Sequence, residues 1–486
     1  MSQDGFFQGR TFDDFLFRPQ KGVSESRRQI TLSSRLAGRL RLELPIVSAN
    51  MNSVTGARMA MTMALEGGIG VVHRGSSIER QQARVAQVKR ARSAVIEDPL
   101  CLPIGSSIRQ AREFARKHGI TGILIEERAG SRRLAGVLSS RDMPWHDGAD
   151  DEPVERFMTP FDRLVVARPG ISVEAAEKIL FDRRIERLPL VDDDRQIRGL
   201  ITRKDILFLR ERPFASRDGK GRLLVGAAIG VRGDFLERAA AVIEAGADCL
   251  FIDIAHGHSD MMKEAVEAVR KRFGKVPLVC GNVATGEGAA WLAQIGADAV
   301  KVGVGPGRGC RTRLETAAGV PQLQAIREAW LAVGDAVPII ADGGVREDKD
   351  VFLALVCGAS AVMLGSMLSG TDEAPGHVIE NPATHEKKKI YRGMTSPEAV
   401  LETLYDVEGE SEDTEALETP AEGQELQVPY TGSVVDVLHR IRGHLRSAVS
   451  YAGERSLEAA RRKILAEPER FLIPLSEAAR RESYER

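Results

Sequence analysis

The thiol of Cys310 is the first candidate for chemistry in this chain. It lies in the stretch Lys301 to Arg313, KVGVGPGRGCRTR, which begins as an apolar run and breaks into glycines and one proline. Gly303, Gly305 and Gly307 let the backbone adopt positive φ and approach a ligand closely, which a β-carbon resists. Pro306 removes one donor and stiffens the turn. A cysteine held beside Arg308, Arg311 and Arg313 has a route to a lowered pKa and to nucleophilic attack. The same residues also fit a structural loop with an incidental cysteine, since a buried free thiol behaves as a small hydrophobe.

A second group of candidates sits at the ends of later apolar runs. IADGGV (Ile340 to Val345) offers Asp342, Gly343 and Gly344, and VMLGSMLSG (Val362 to Gly370) offers Gly365 and Ser366. Backbone amides in such loops cradle phosphate. Asp342 suits a ribose diol better than its alternative role, a helix N-cap. His256 and His258, in FIDIAHGHSDM, fit hydrogen bonding to the groups that hold a ligand better than acid/base or metal duty.

The elements that must position these groups alternate. Apolar strands are expected at Pro45–Val47, Gly68–His73, Val225–Ile229, Cys249–Ile254, Pro277–Cys280, Ala299–Val304, Pro338–Ala341 and Ala361–Leu364. Helical stretches such as Phe235–Ala245 and Ser259–Arg272 separate them. Near-continuous apolar runs between helices indicate a parallel sheet buried on both faces. Eight of them make the chain an α/β protein with a (β/α)8 TIM barrel, whose active site lies at the C-terminal ends of the strands. Asp253, Asn282, the Cys310 loop, Asp342 and Gly365-Ser366 all fall there.

The barrel is interrupted after its second strand. The expected division is 1–95 for the first part of the barrel, 96–212 for an insert (copies at 96–148 and 159–212), and 213–486 for the rest. Within the insert, LPIGSSIRQAREFARKHGITGILIEE with LAGVLSSRDM is echoed by ARPGISVEAAEKILFDRRIERLPLVDDD with IRGLITRKDI. Each copy reads strand, helix, strand, strand and ends in a hydroxyl-x-basic-Asp element, Ser139 to Asp142 and Thr202 to Asp205.

The totals narrow the class. A net charge of −1 over 486 residues gives no bulk attraction to a polyanion, so no nucleic-acid partner is expected. No run approaches the roughly 20 apolar residues of a membrane span. Five cysteines without CxxC or Cys/His metal spacing point to a reducing compartment, and the opening residues lack a secretory pattern, so a cytoplasmic protein is expected. From Gly393 to His439 there is no Lys or Arg, and acids dominate. That composition suits a mobile, solvated excursion at about 393–430 rather than a packed element.

The Cys310 stretch resembles the active-site loop of the IMP dehydrogenase and GMP reductase family, Gly-x-Gly-Pro-Gly-Ser-x-Cys-x-Thr-Arg. Gly303, Gly305, Pro306, Gly307, Cys310, Thr312 and Arg313 match, and Arg308 replaces the serine that helps hold the substrate phosphate. TFDD (Thr11 to Asp14), Ser48-Ala49-Asn50-Met51 and HLRSAVSYA (His444 to Ala452) match the family as well, and the repeats look like a tandem CBS-domain pair, with Met158-Thr159-Pro160 between them. The resemblance implies a homotetramer, with CBS pairs able to join tetramers into octamers. It implies a purine nucleotide, GMP or IMP, held by Ser48, Met51, Asp342, Gly343, Gly344, Gly365, Ser366, Tyr391, Gly393 and Met394. A nicotinamide cofactor would meet Asp253, Ile254, Ala255, Val304 and Gly305, and carbonyls of Gly305, Gly307 and Cys310 would bind potassium. The CBS pair implies ATP or GTP at Asp142, Thr202 and Asp205, or a plain spacer without ligand.

Within the family the residues lean to the reductase, which uses NADPH to convert GMP to IMP and ammonia through a cysteine adduct. The dehydrogenase hydrolyses its adduct with an Arg-Tyr pair on the flap. Here the flap has no arginine, and Tyr405 and Tyr430 lack such a neighbour. Thr312 and Glu422 match the reductase's acid/base pair, so Cys310, Thr312 and Glu422 are the expected catalytic residues. Asp253-Ile254-Ala255 resembles the reductase's Asp-Val-Ala. The alternatives are an IMP dehydrogenase making XMP with NAD, and a purine sensor without turnover, motivated by Arg308 and Arg311 beside the thiol.

Overall fold

The computed structural model describes residues 3–91, 95–144, 147–401 and 420–484. The chain divides into two compact units, one of Met1–Ala91, Phe214–Asp218 and Leu223–Arg486, the other of Arg92–Pro213 and Gly219–Arg222.

The larger unit is a closed barrel of eight parallel strands: β1 (Ile46–Ser48), β2 (Ile69–Val72), β3 (Val225–Ile229), β4 (Cys249–Asp253), β5 (Leu278–Val283), β6 (Ala299–Val302), β7 (Ile339–Asp342) and β8 (Ala361–Leu364). β8 closes on β1 through Val362↔Ile46 and Leu364↔Ser48, and β2 meets β3 through Val71↔Gly226. β2, β3, β6 and β8 are buried at every position, as expected of strands covered on one side by helices and filled on the other by side chains. Phe251 is fully buried. A Cβ on Gly226 in the neighbouring strand would lie 2.9 Å from its ring, so the glycine in β3 is what makes room for the aromatic in β4. Among the described residues no helix is long and apolar enough to cross a membrane.

An antiparallel hairpin stands beyond β8. Its strands β9 (Lys387–Arg392) and β10 (Glu425–Pro429) pair through Tyr391↔Leu426 and Lys389↔Val428. Residues 402–419, which include Tyr405 and most of the acidic run, lie outside the described residues.

In the smaller unit the repeat is visible in the caps. Ser107 caps the helix Ile108–His118 and Ser172 caps Val173–Asp182, each accepting the N–H three residues on. The strand pairs after the helices also correspond, Gly122–Glu126 with Leu134–Ser139 and Arg187–Val191 with Ile197–Thr202. The copies part at their ends. Thr202 caps the nine-residue helix Arg203–Glu211, whereas Ser139 opens a turn closed by Asp142 N–H on its carbonyl at 3.0 Å. Pro144, two residues on, cannot continue a helix there.

Candidate functional site

At the C-terminal ends of the barrel strands lies a cavity of about 1270 Å³. It exceeds the roughly 300–1,000 Å³ of ordinary single-ligand pockets, and so has room for two ligands side by side. Its lining runs from Gly343, Gly344, Gly365, Ser366 and Tyr391 at one end to Arg74, Gly75, Asp253, Ile254 and Ala255, with the Cys310 loop also on its wall.

The floor is a buried polar cluster on four strand ends. Lys301, on β6 and 2% exposed, donates to Asp342 Oδ2 at 2.5 Å, to Asn282 Oδ1, and to Asp253 Oδ1 at 2.9 Å. A Cβ on Gly281 would lie 2.7 Å from the Lys301 Cβ, so that glycine clears its path into the barrel. Asn282 donates to Asp342 Oδ2 at 2.9 Å and Asn50 to Asp253 Oδ2 at 2.5 Å. Burial alone would discharge the Lys301 ammonium, but Asp253 and Asp342 together hold its pKa above the ordinary lysine value. Burial likewise pushes Asp253 up, and Lys301 and the Asn50 amide outweigh it to leave the carboxyl below its usual range.

On the wall, Cys310 Sγ lies 3.1 Å from Thr312 Oγ1, and Thr312 donates to Glu422 Oε2 at 2.7 Å. Thr312 and Glu422 are 110 positions apart in the chain, and backbone pairing joins them. Arg311 N–H donates to the Glu422 carbonyl at 2.7 Å, Gln424 N–H to Gly309 at 3.0 Å, and Gly393 N–H to Gln424 at 3.0 Å. Three backbones pass so closely that a Cβ on Gly393 would lie 2.4 Å from the Gly309 oxygen, and one on Gly423 2.5 Å from Ser396 N. The strands of the hairpin thus deliver Glu422 to the cysteine loop.

Of the five cysteines only Cys310 lines the cavity. Burial pushes Cys101 up to about 11 and Cys357 up to about 12, and it raises Cys249 and Cys280 as well. The arginines expected beside the thiol are mostly engaged elsewhere. Arg311 pairs with Glu315 at 2.7 Å, and Arg313 donates to the carbonyls of Val304 and Val320. Arg308 is exposed at the cavity rim.

At the other end the backbone makes the site. Gly343 and Gly344 have φ of +87° and +80°, and a Cβ on Gly343 would meet the Gly307 nitrogen at 3.0 Å. Tyr391 OH lies 3.6 Å from Met51 Sδ and would be 2.8 Å from a Cβ on Gly365. Burial raises its phenol, which stays protonated as a donor.

The cavity therefore gathers Met51, Asp253, Ile254, Ala255, Val304, Gly305, Gly307, Cys310, Thr312, Asp342, Gly343, Gly344, Gly365, Ser366, Tyr391, Gly393, Met394 and Glu422. Ser48 is fully buried, accepts from Thr55 Oγ1 at 2.8 Å, and is not among the residues that line the cavity. The ring of His258 packs 5.0 Å from Trp291, and neither it nor His256 lines the cavity. Tyr430 donates to Asp372 at 2.8 Å. The carbonyl of Gly307 accepts Cys310 N–H at 3.0 Å. Thr202 donates to Asp205 at 2.5 Å and caps its N–H, while Asp142 is exposed. The sequence reading missed Lys301 and Arg74. A charge within the otherwise apolar AVKV run was the available signal for the first; nothing local marked the second.

The IMP dehydrogenase / GMP reductase domain matches residues 9–485. An inosine-5'-monophosphate dehydrogenase from Nitrosopumilus maritimus is 43% identical over 454 residues, 93% of this chain and 94% of the relative. A GMP reductase from Leishmania major is 42% identical over 458 residues, 93% and 92% of the two chains. A Cys→Ala variant of GMP reductase from Trypanosoma brucei, solved in complex with guanosine 5'-monophosphate, superposes with a TM-score of 0.86 at 38% identity, covering 98% of this chain and 97% of its own.

Proposed function

Because the chain belongs to the IMP dehydrogenase / GMP reductase family of oxidoreductases, we propose that its own reaction is the reductive deamination of GMP to IMP and ammonia, with NADPH as the reductant. One observation carries this reading: the thiol of Cys310 continues through Thr312 to Glu422 in one hydrogen-bonded line, at 3.1 and 2.7 Å. The relay does two jobs in sequence. It takes the thiol proton as Cys310 Sγ bonds to purine C2, passing it through the Thr312 hydroxyl to Glu422. It then returns that proton to the 2-amino group as the C2–N bond breaks and ammonia departs. NADPH supplies the hydride that reaches C2, and the C–S bond breaks to release IMP and the Cys310 thiolate.

The remaining residues bind and orient. The amides of Gly343, Gly344, Gly365 and Ser366, with the Tyr391 hydroxyl, would hold the 5'-phosphate, and Asp342 the ribose hydroxyls. Asp253, Ile254, Ala255, Val304 and Gly305 would face the nicotinamide, for which the second half of the cavity leaves room. We assign the smaller unit as a CBS pair that takes ATP or GTP near Asp142, Thr202 and Asp205, and the assembly as a homotetramer that pairs into octamers.

Purified protein with GMP and NADPH should consume the nicotinamide absorbance and form IMP. The second reading, IMP dehydrogenase, is favoured by the 43% identity to a relative of that name. It would prevail if IMP and NAD gave steady NADH and XMP while GMP and NADPH gave nothing.

A further inference from the structure

The proposed chemistry leaves Lys301 without a task, yet its surroundings give it one. Its ammonium is enclosed, and its three donors are spent on Asp253 Oδ1, Asp342 Oδ2 and Asn282 Oδ1. All four of these side chains line the one cavity. The two carboxylates are not equivalent. Asp253 has both oxygens engaged, one by Lys301 and one by Asn50. Asp342 takes both of its side-chain bonds, from Lys301 and Asn282, on Oδ2. Its Oδ1 has no protein donor among the described residues, which leaves it as the acceptor for a ligand hydroxyl.

We infer that Lys301 is a positioning residue that couples the two ligand subsites by dividing one buried charge between the nucleotide's carboxylate, Asp342, and the dinucleotide's, Asp253. This rests on the reading of Asp342 as the acceptor of the substrate ribose. A ribose diol that donates to Asp342 competes with Lys301 for that carboxylate and shifts the ammonium toward Asp253. A ligand arriving at Asp253 shifts it back. Each ligand therefore alters the other's affinity, and by the same factor. Because Lys301 is buried in the floor of the barrel, the effect is screened less than it would be at the surface.

The test is calorimetric binding of GMP in a Cys310→Ala background, which blocks chemistry, with and without NADPH. Asp253→Asn removes a charge from the dinucleotide side only. Lys301 then serves Asp342 alone, neutralises the acceptor that the diol needs, and GMP binding weakens by about 5-fold or more. In Lys301→Met the factor by which NADPH changes GMP affinity falls to about one, which a purely structural lysine would leave intact. GMP affinity in Asp253→Asn within about 2-fold of the parent overturns the coupling, and that arm decides if Lys301→Met does not fold. Failure of the parent to bind GMP at all removes the purine-nucleotide reading and this inference with it.

Discussion

Two buried lysines occupy opposite ends of the same barrel, each between two aspartates. Lys89, at the end of the helix Ile78–Arg90, donates to Asp218 at 2.9 Å, to Asp248 at 2.9 Å and to the carbonyl of Leu223 at 3.0 Å. Asp248 immediately precedes β4 and also accepts Val225 N–H, the first of β3, at 2.8 Å. Lys301 sits instead beside Asp253 and Asp342, the last residues of β4 and β7. The chemistry of the two clusters is alike, but their closure differs. Around Lys89 the Asp248 oxygens are both consumed by the protein, so the cluster ties strand starts together. Around Lys301 one carboxylate oxygen, Asp342 Oδ1, has no protein donor among the described residues, and the cluster opens on a cavity. Position along the strand separates a stabilising ion cluster from a ligand-facing one, as barrels generally divide their two faces.

Cys310→Ala should give the largest effect at the open end. Turnover of GMP with NADPH falls by about 10⁴-fold or more, since the nucleophile is removed, while the melting temperature and GMP binding stay close to the parent values. Retained turnover would mean that the open face does its chemistry without this thiol. Glu422→Gln and Thr312→Val come next. Each interrupts the relay and should lower kcat by about 10² to 10⁴-fold with little change in KM for GMP. A rise in KM at constant kcat would instead make Glu422 a binding group.

At the closed end the readouts exchange places. Lys89→Met leaves Asp218 and Asp248 buried without their cation, a change that costs about 3–5 kcal/mol in other buried pairs. Urea unfolding should show that loss, while GMP affinity, measured below the unfolding transition, is unaltered. If Lys89→Met shifted GMP affinity as Lys301→Met does, the contrast between the two faces would be void.

This division was partly legible beforehand. The barrel could be read because strands buried on both faces must be apolar throughout, and Val225–Ile229 and Ala361–Leu364 say so residue by residue. The Cys310 loop could be read because its glycines and proline carry backbone demands within a few positions. Lys301 could not, because its partners Asp253 and Asp342 are 48 and 41 positions distant and only barrel closure brings them to it. Ser48 hides its partner for a related reason. It follows the apolar run of β1, but nothing in the local sequence says that Thr55 will fold back onto its hydroxyl. The departure of the Ser139 turn from its counterpart at Thr202 was written in Pro144, which a repeat-based reading passes over.

The smallest expected effect concerns a residue that belongs to neither class. His73 follows β2 at the open end and precedes Arg74 and Gly75 in the cavity wall, yet it is itself 3% exposed. Its Nε2 lies 2.7 Å from Arg84 Nη1, and as guanidinium can only donate, the imidazole must accept there. Burial, with Arg84 and Arg238 nearby, lowers its pKa to about 3. Between pH 6.5 and about 3 the unfolded chain therefore binds a proton here that the folded chain refuses. Stability contributed by the neutral ring is complete above pH 6.5 and declines on acidification, by about 1.4 kcal/mol per pH unit inside that window. His73→Gln retains an acceptor for Arg84 and does not titrate. Urea unfolding at pH 7 and pH 5 should show about 2 kcal/mol less loss in this variant than in the parent. An equal loss in both would mean that Arg84 withdraws and lets the imidazole charge in place, and that the wall behind Arg74 yields where the cluster around Lys89 is held.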